Sequence, residues 1–160
     1  MKKSDLRDAI IRHLQEELSR QTNAATMARD EAISEESRAE SKWDTHSQEA
    51  AYLAEGQAKL AAEISASIEL YAALPLPDFA TGALAALGAL IEIEASTTRR
   101  RSWYFLGPRA GGAQVQFNGH EVLVLTPQSP LGRQLLGRRV GESIAASGRG
   151  AGTQQIVAIV

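Results

Sequence analysis

Apolar residues in the first half of the chain recur at the spacing of helix faces. Leu6, Ile10, Leu14 and Leu18 stand four residues apart, so they share one face of a helix. A second stripe follows the short steps that characterise a coiled-coil face; it comprises Tyr52, Leu53, Gln57, Leu60, Ile64, Ile68 and Tyr71. The polar segment 41–47 separates the two stripes. We therefore expect two helices that fold back on each other as an antiparallel hairpin.

The distribution of proline and glycine divides the chain. The first 73 residues contain no proline and one glycine, Gly56, whereas all five prolines and the other glycines come later. Pro75 and Pro77 should end the second helix, because proline lacks an amide donor and disfavours helix in the residue before it. These signals predict a coiled-coil hairpin at 1–74 with an acidic tip near 40–49, a linker at 75–88 and a second domain at 89–160.

Beyond the prolines, apolar residues alternate with a period of two, which predicts β-strands. The expected strands are 89–94, 101–106, 121–125, 142–146 and 154–159. One short helix is predicted at 129–136, with Ser129 as its N-cap and Pro130 in its first position. The predicted fold class is therefore α+β, an N-terminal antiparallel coiled-coil hairpin followed by a small sheet with one short helix.

Charge is distributed unevenly, although the formal net charge is only −2. Between residues 30 and 55, eight acidic residues stand against two basic ones, a net charge of −6. From Thr97 onward, eight arginines stand against two glutamates, a net charge of +6. Halves of opposite charge present different surfaces to different partners. With no cysteine and no apolar run long enough for a signal peptide or a membrane span, we expect a cytoplasmic protein.

Two segments resemble the bacterial Gre transcription elongation factors. The first, 126–142, contains Ser-Pro-Leu-Gly, a short helix and the run Gly-Arg-Arg-Val-Gly-Glu. The second, Glu49–Ala54, resembles the family's entry to the second coiled-coil helix. The order and length of the two halves also resemble the family over nearly the whole chain. The resemblance implies an FKBP-like C-terminal domain that docks on RNA polymerase, and a coiled coil that enters its secondary channel.

The tip of the predicted hairpin departs from the family pattern. Gre proteins that stimulate transcript cleavage carry an Asp and a Glu three residues apart, and Thr45 and Gln48 stand at those positions here. The nearby acids are Asp44 and Glu49, five residues apart. By resemblance, these two are the candidate catalytic residues and candidate ligands of a Mg²⁺ shared with the polymerase, since Mg²⁺ prefers carboxylate oxygens. Asp44 is equally well explained as an N-cap of the second helix.

The residues predicted to bind a partner are Trp43, Ser129, Pro130, Leu131, Arg138 and Arg139. Trp43 either contacts a partner or packs back on the hairpin. The corner at 129–131 corresponds to a loop that contacts the polymerase in Gre-like proteins. The arginine pair suits either an acidic polymerase surface or nucleic acid. The expected partner is RNA polymerase, with indirect contact to RNA or DNA, and the protein is expected to be a monomer without a cofactor of its own.

Three functions remain open at this stage. The first is a Gre-like factor that stimulates cleavage of backtracked transcripts at the active site of the polymerase, so that the protein is an accessory factor and not itself an enzyme. The second is a Gre homologue that occupies the channel and modulates or inhibits transcription without cleavage, which the altered tip favours. The third is an FKBP-like prolyl isomerase or chaperone with a coiled-coil arm.

Overall fold

The computed structural model describes residues 2–36, 46–145 and 152–160. Two long helices come first, and a six-stranded sheet with one short helix follows. The elements are α1 (Lys3–Glu36), α2 (His46–Ala72), β1 (Leu90–Ala95), β2 (Arg101–Leu106), β3 (Gln114–Phe117), β4 (His120–Leu125), α3 (Pro130–Leu135), β5 (Ser143–Ala145) and β6 (Thr153–Ile159). This arrangement confirms the α+β class. The predicted strands and short helix lie within one residue of their observed bounds, whereas β3 was not predicted.

The chain forms two compact units. One is Arg12–Glu69, and the other combines Met1–Ile11 with Leu70–Val160. The first unit holds most of α1 and α2. The second holds the first turns of α1, the last residues of α2, and the whole sheet with α3.

In the helical unit, ten of the residues withdrawn from solvent form two series with alternating steps of three and four. They are Leu14, Leu18, Gln21, Ala25 and Ala28 on α1, and Ala54, Gln57, Ala61, Ile64 and Ile68 on α2. This spacing is that of a coiled-coil seam. The first turns of α1 and the last residues of α2 belong to the same compact unit. The two helices are therefore antiparallel.

The seam changes character along its length. Leucine and isoleucine fill the part that includes Leu14 and Ile64, whereas alanine and glutamine fill the part nearer the reversal. In that second part, the side-chain oxygen of Gln57 is buried and has no hydrogen-bond partner among the described residues. A buried acceptor without a donor weakens a seam.

The sheet has the strand order β3-β4-β2-β1-β6-β5. Neighbouring strands are antiparallel except β2 and β4, which pair in parallel from Trp103 with Val122 to Leu106 with Leu125. The hairpin of β3 and β4 turns at Asn118 and Gly119, whose φ angles are 50° and 78°. Two consecutive positive φ angles are those of a type I′ turn, for which Asn-Gly is strongly preferred. This turn places β3 at the edge of the sheet.

Both faces of the sheet bury apolar side chains. One face packs against α3 and the segment before β1; its buried members are Ala85, Ala89, Ile91, Ile93, Leu106, Leu125, Leu135, Ile144 and Ile156. On the other face, the ring of Tyr71 at the end of α2 lies 6.5 Å from that of Phe105. The Tyr71 hydroxyl donates to the carbonyl of Arg109 at 2.8 Å. The end of α2 is thereby fastened to the sheet.

The first turn of α1 is fastened within the same unit by a buried cation. The Lys3 side chain is 7% exposed, and its ammonium donates to the carbonyl of Pro77. It also lies 4.6 Å from the centre of the Phe79 ring, a favourable cation–π geometry. Burial lowers the pKa of Lys3, and the nearby Asp78 carboxylate partly opposes that change.

Candidate functional site

The corner before α3 is held by the side chain of Ser129. Its oxygen accepts from the amide of Gly132 at 3.0 Å and donates to the carbonyl of Thr126 at 2.8 Å. Ser129 is thus the N-cap and Pro130 the first helical residue, as predicted. A Cβ atom at Gly132 would lie 2.0 Å from the Thr126 carbonyl oxygen. A larger residue at this position would have to displace the Thr126 backbone, so the corner requires glycine here.

The corner presents its side chains unequally. Pro130 is exposed, whereas Leu131 is half-buried and packs against the core below α3. Proline at the first position of a helix leaves no amide donor unsatisfied. The predicted docking corner therefore offers a stiff apolar ring to solvent, and Leu131 supports it from beneath.

Arg138 and Arg139 follow α3 and are arranged by Glu142. The Glu142 carboxylate accepts from the Arg139 amide at 2.6 Å and lies 3.5 Å from the Arg138 guanidinium. The Arg138 carbonyl accepts from the Ala85 amide at 2.8 Å, which ties this turn to the segment before β1. The Arg139 guanidinium is exposed and has no partner among the described residues. Arg139 is thus the arginine of the pair whose charge is available to a partner.

The predicted tip is described only in part. Glu49 lies in the first turn of α2 and is exposed. Its negative charge is stabilised there by the positive end of the helix dipole. Trp43 and Asp44 lie outside the described residues, so their roles stay predictions. No group of three or more His, Cys, Asp or Glu within residues 2–36, 46–145 and 152–160 could hold a metal ion. Glu49 alone offers too few ligands to hold Mg²⁺, so its role as a metal ligand stays a prediction.

The structure also reveals a cleft that the sequence reasoning missed. It has a volume of about 400 Å³ and opens beside the first residues of β2 and β4; its lining includes Arg100, Arg101, Trp103, Tyr104, Gln114 and His120. These residues are up to 20 positions apart in the chain. The Asn118-Gly119 pair is the sequence signal for the hairpin that brings Gln114 and His120 together.

Beside this cleft, two glutamates on β1 organise the arginines. Glu94 contacts Arg99 at 2.7 Å and Arg101 at 3.1 Å, and Glu92 contacts Arg101 at 3.2 Å. The hydrogen bond to Glu94, and to a smaller extent that to Glu92, raises the pKa of the Arg101 guanidinium above its usual value. Two of the three consecutive arginines are therefore already paired.

A second, smaller cleft of about 340 Å³ lies beside the first turn of α1 and is lined by Lys2, Lys3, Ser4, Leu76, Asp78 and Val160. Asp78 offsets one of its two lysine charges, and the Lys3 ammonium already has partners in the Pro77 carbonyl and the Phe79 ring. Among the helices that the structure describes, none combines the length and apolarity needed to cross a bilayer.

Comparisons with known proteins find similar solved structures at low sequence identity. Gfh1 of Thermus thermophilus, a GreA factor homolog, is 21% identical, covers 94% of this chain and 94% of its own, and has a TM-score of 0.41. Gfh1 of Thermus aquaticus is 21% identical, covers 91% of this chain and 90% of its own, and has a TM-score of 0.41. The transcription elongation factor GreA/GreB of Nitrosomonas europaea is 19% identical, covers 65% of this chain and 78% of its own, and has a TM-score of 0.38.

No protein-family model matches the sequence, and no curated protein matches it significantly. At these identities and TM-scores, the similar structures do not establish the function of this chain.

Proposed function

We propose that this protein is a Gre-like transcription factor that docks on RNA polymerase and inserts its helical hairpin into the secondary channel. The observation that carries the proposal is the segment 126–142. Its sequence resembles the Gre signature, and it folds as a capped corner, a short helix and an arginine turn. The polymerase would meet exposed Pro130 and the unpaired guanidinium of Arg139. In this role the protein acts in the cytoplasm as an accessory factor.

The antiparallel helices support the second half of the proposal. A hairpin that is only two helices wide has no core cavity of its own, so any chemistry at its tip must be completed by a partner. We propose that Glu49, with Asp44, contributes carboxylate oxygens to the active site of the polymerase. The polymerase-bound Mg²⁺ would supply charge stabilisation for phosphoryl transfer. The hairpin would position the carboxylates.

The alternative is that the hairpin occupies the channel without stimulating cleavage. It is favoured by Thr45 and Gln48, which replace the acidic pair of cleavage-stimulating Gre proteins. Gln48 is exposed in the first turn of α2, and a neutral amide is a much weaker Mg²⁺ ligand than a carboxylate. In this alternative the protein still docks on the polymerase but does not stimulate transcript cleavage.

Docking is tested by measuring the binding of the full chain to core RNA polymerase. The variant Arg139→Glu should weaken binding, because it reverses an exposed charge that no described residue pairs with. Arg109→Glu is the matched control, since it makes the same change at an exposed position away from α3. If the wild-type chain does not bind polymerase, or if both variants bind as it does, the docking proposal is wrong.

Cleavage is tested separately on polymerase stalled in a backtracked complex with Mg²⁺. If the tip is active, the wild type releases short RNA, the double variant Asp44→Ala, Glu49→Ala does not, and the control Glu55→Ala retains activity. If the wild type binds and competes with a cleavage-stimulating Gre protein but releases no RNA, the channel-occupying alternative is correct. Substantial proline isomerisation together with no polymerase binding would instead support the FKBP-like function.

A further inference from the structure

The cleft on the sheet gathers side chains from three strands around one opening. Because β2 and β4 run in parallel, their first residues lie at the same end of the sheet. The β3–β4 hairpin adds Gln114, which pairs with Leu123. Tyr104 and Leu123 are neighbours in the parallel register and are both half-buried. The volume of about 400 Å³ lies within the range of small-ligand sites.

The charge available in the cleft comes from Arg100. Its neighbours Arg99 and Arg101 are engaged by Glu94 and Glu92, whereas no side-chain partner of Arg100 exists among the described residues. Its hydrogen bonds come from the backbone: the Arg100 amide donates to the Thr98 hydroxyl, and the Arg100 carbonyl accepts from the Ala95 amide. The two paired arginines and their glutamates nearly cancel. A ligand in the cleft would therefore meet a single unpaired guanidinium, which binds phosphate well.

Several polar groups around the opening lack a hydrogen-bond partner among the described residues. The side chains of Ser102, Tyr104, Gln114 and Glu121 all line the cleft, and none makes a hydrogen bond to another described residue. Together they offer hydroxyl donors, an amide that both donates and accepts, and a carboxylate that accepts. Such groups can satisfy a planar ligand that has donors and acceptors along its edge.

Aromatic rings complete the lining. Tyr104 is half-buried and shares a face of the sheet with Leu123 and Gln114. The rings of Trp103 and His120 lie 5.6 Å apart on the opposite face, at the same end of the strands, because successive side chains of a strand alternate between faces. Aromatic faces bind nucleobases by stacking whatever the sequence, and arginine contacts the backbone phosphate. One guanidinium, an aromatic lining and unpaired edge-binding groups are the components of a nucleotide site.

We propose that this cleft binds one nucleoside phosphate unit, either as a free mononucleotide or as the end of a single strand. Arg100 holds the phosphate, Tyr104 contacts the base, and Gln114 and Glu121 bind its edge. The Glu121 carboxylate accepts from an exocyclic amino group, so bases that carry one bind more tightly than uracil. This binding is independent of polymerase docking and goes beyond the proposed function.

Two other ligands fit the lining less well. An inorganic anion would use Arg100 but would leave the aromatic rings and the Gln114 amide without a role. An acidic peptide would place further carboxylates near the Glu121 carboxylate, and like charges close together repel. The combination of one cation with a nearby carboxylate therefore favours a nucleotide.

The test is a titration of the full chain without polymerase. A Trp43→Phe variant leaves Trp103 as the single tryptophan, and its fluorescence reports occupancy of the cleft. The ligands are the mononucleotides GMP, AMP, CMP and UMP, a 5′-phosphorylated RNA tetranucleotide, ribose 5-phosphate, inorganic phosphate and a short polyglutamate peptide. Isothermal calorimetry repeats the titration with the unmodified chain.

We expect saturable quenching by the mononucleotides, weakest with UMP. Arg100→Ala should weaken binding about tenfold or more, since a hydrogen bond to a charged group is lost. Gln114→Ala should weaken it by about threefold, as expected for a neutral hydrogen bond. Arg99→Ala is the matched control and should bind like the wild type, because Arg99 is paired with Glu94 outside the cleft. Circular dichroism verifies that each variant is folded.

The two sources of the ligand are separated by the tetranucleotide. Tighter binding of the tetranucleotide indicates a strand end, and equal binding indicates a free nucleotide; both support the proposal. The proposal is overturned by the absence of quenching and heat at millimolar nucleotide, or by equal binding of folded Arg100→Ala. It is also overturned if phosphate or ribose 5-phosphate binds as tightly as nucleotides, or if the peptide binds through Arg100 and nucleotides do not.

Discussion

The contact between Tyr71 and Gly107 leads to a prediction about how α2 is fastened to the sheet. The Tyr71 side chain is fully buried, and its hydroxyl occupies the space beside the Gly107 backbone. A Cβ atom at Gly107 would lie 2.0 Å from that hydroxyl oxygen, 3.0 Å from the ring carbon that bears it, and 3.2 Å from a methyl of Val124. Gly107→Ala should therefore be destabilising through the hydroxyl above all.

The magnitude follows from the atoms involved. Overpacking a rigid site costs about 1–3 kcal/mol, and the 2.0 Å contact places Gly107→Ala near the top of that range. Tyr71→Phe removes the hydrogen bond to Arg109, whose loss costs about 1 kcal/mol. In the double variant the 2.0 Å contact is gone and the nearest atom lies at 3.0 Å. Because the contacts at 3.0 and 3.2 Å remain, we expect the double variant to be about 1 kcal/mol less stable than Tyr71→Phe alone, which gives a coupling of about 2 kcal/mol.

The assay is urea unfolding of the four proteins of this double-mutant cycle, followed by Trp103 fluorescence in a Trp43→Phe background. Trp103 lies in the same compact unit as Tyr71 and Gly107, so it reports the unfolding of that unit. Free energies that add within about 0.5 kcal/mol would refute the reasoning. Such additivity would mean that the hydroxyl does not occupy the space beside Gly107.

Three further predictions concern the polar side chains of Tyr71, Ser129 and Gln57. Burial raises the pKa of Tyr71 above its ordinary 10.0. The contribution of neutral Tyr71 to the free energy of unfolding is therefore fully present below about pH 10 and is lost as the pH rises further, because only the unfolded tyrosine ionises readily. Between about pH 9 and 11, the free energy of unfolding of the wild type should fall more steeply with pH than that of Tyr71→Phe. Equal dependence on pH in the two proteins would contradict this prediction. Ser129→Ala should lower the free energy of unfolding by about 1–2 kcal/mol through loss of the N-cap, whereas exposed Ser143→Ala should not; unchanged urea midpoints for both would count against the cap. Gln57→Leu should raise the thermal midpoint of helical circular dichroism, since it replaces a buried unpaired acceptor by apolar surface, for a gain of about 1–2 kcal/mol; exposed Gln48→Leu is the control, and a lower midpoint for Gln57→Leu would show that the amide is needed.

Local patterns were sufficient to find most of the elements. The alternation at 101–106 and 154–159 predicted strands within a residue, because each strand buries its apolar side chains in the sheet while backbone pairing holds the rest. Ser129 and Pro130 predicted the start of α3, because an N-cap and a first-turn proline act within one turn of helix. The strand β3 was missed because Gln114–Phe117 has only two apolar residues, although Asn118-Gly119 announces its hairpin.

The candidate site was predictable only where it depends on adjacent residues. The corner at 129–132 and its cap are local, and so the resemblance to the Gre signature located them. The nucleotide cleft is not local. Arg100, Gln114 and His120 meet because β2 and β4 pair in parallel with β3 outside them, and strand order is set by long-range packing.

Charge shows the same division. The sequence predicted a basic second half from the excess of arginine, since counting requires no coordinates. It could not predict that Glu94 and Glu92 pair with Arg99 and Arg101 while Arg100 stays unpaired, because the β1–β2 register decides which side chains meet. The sequence by itself therefore determined the helices, five of the six strands and the capped corner, through periodicity and capping within a few residues. Only the tertiary structure decided the strand order, the pairing of the arginines and the cleft, because contacts between distant residues depend on how the sheet assembles.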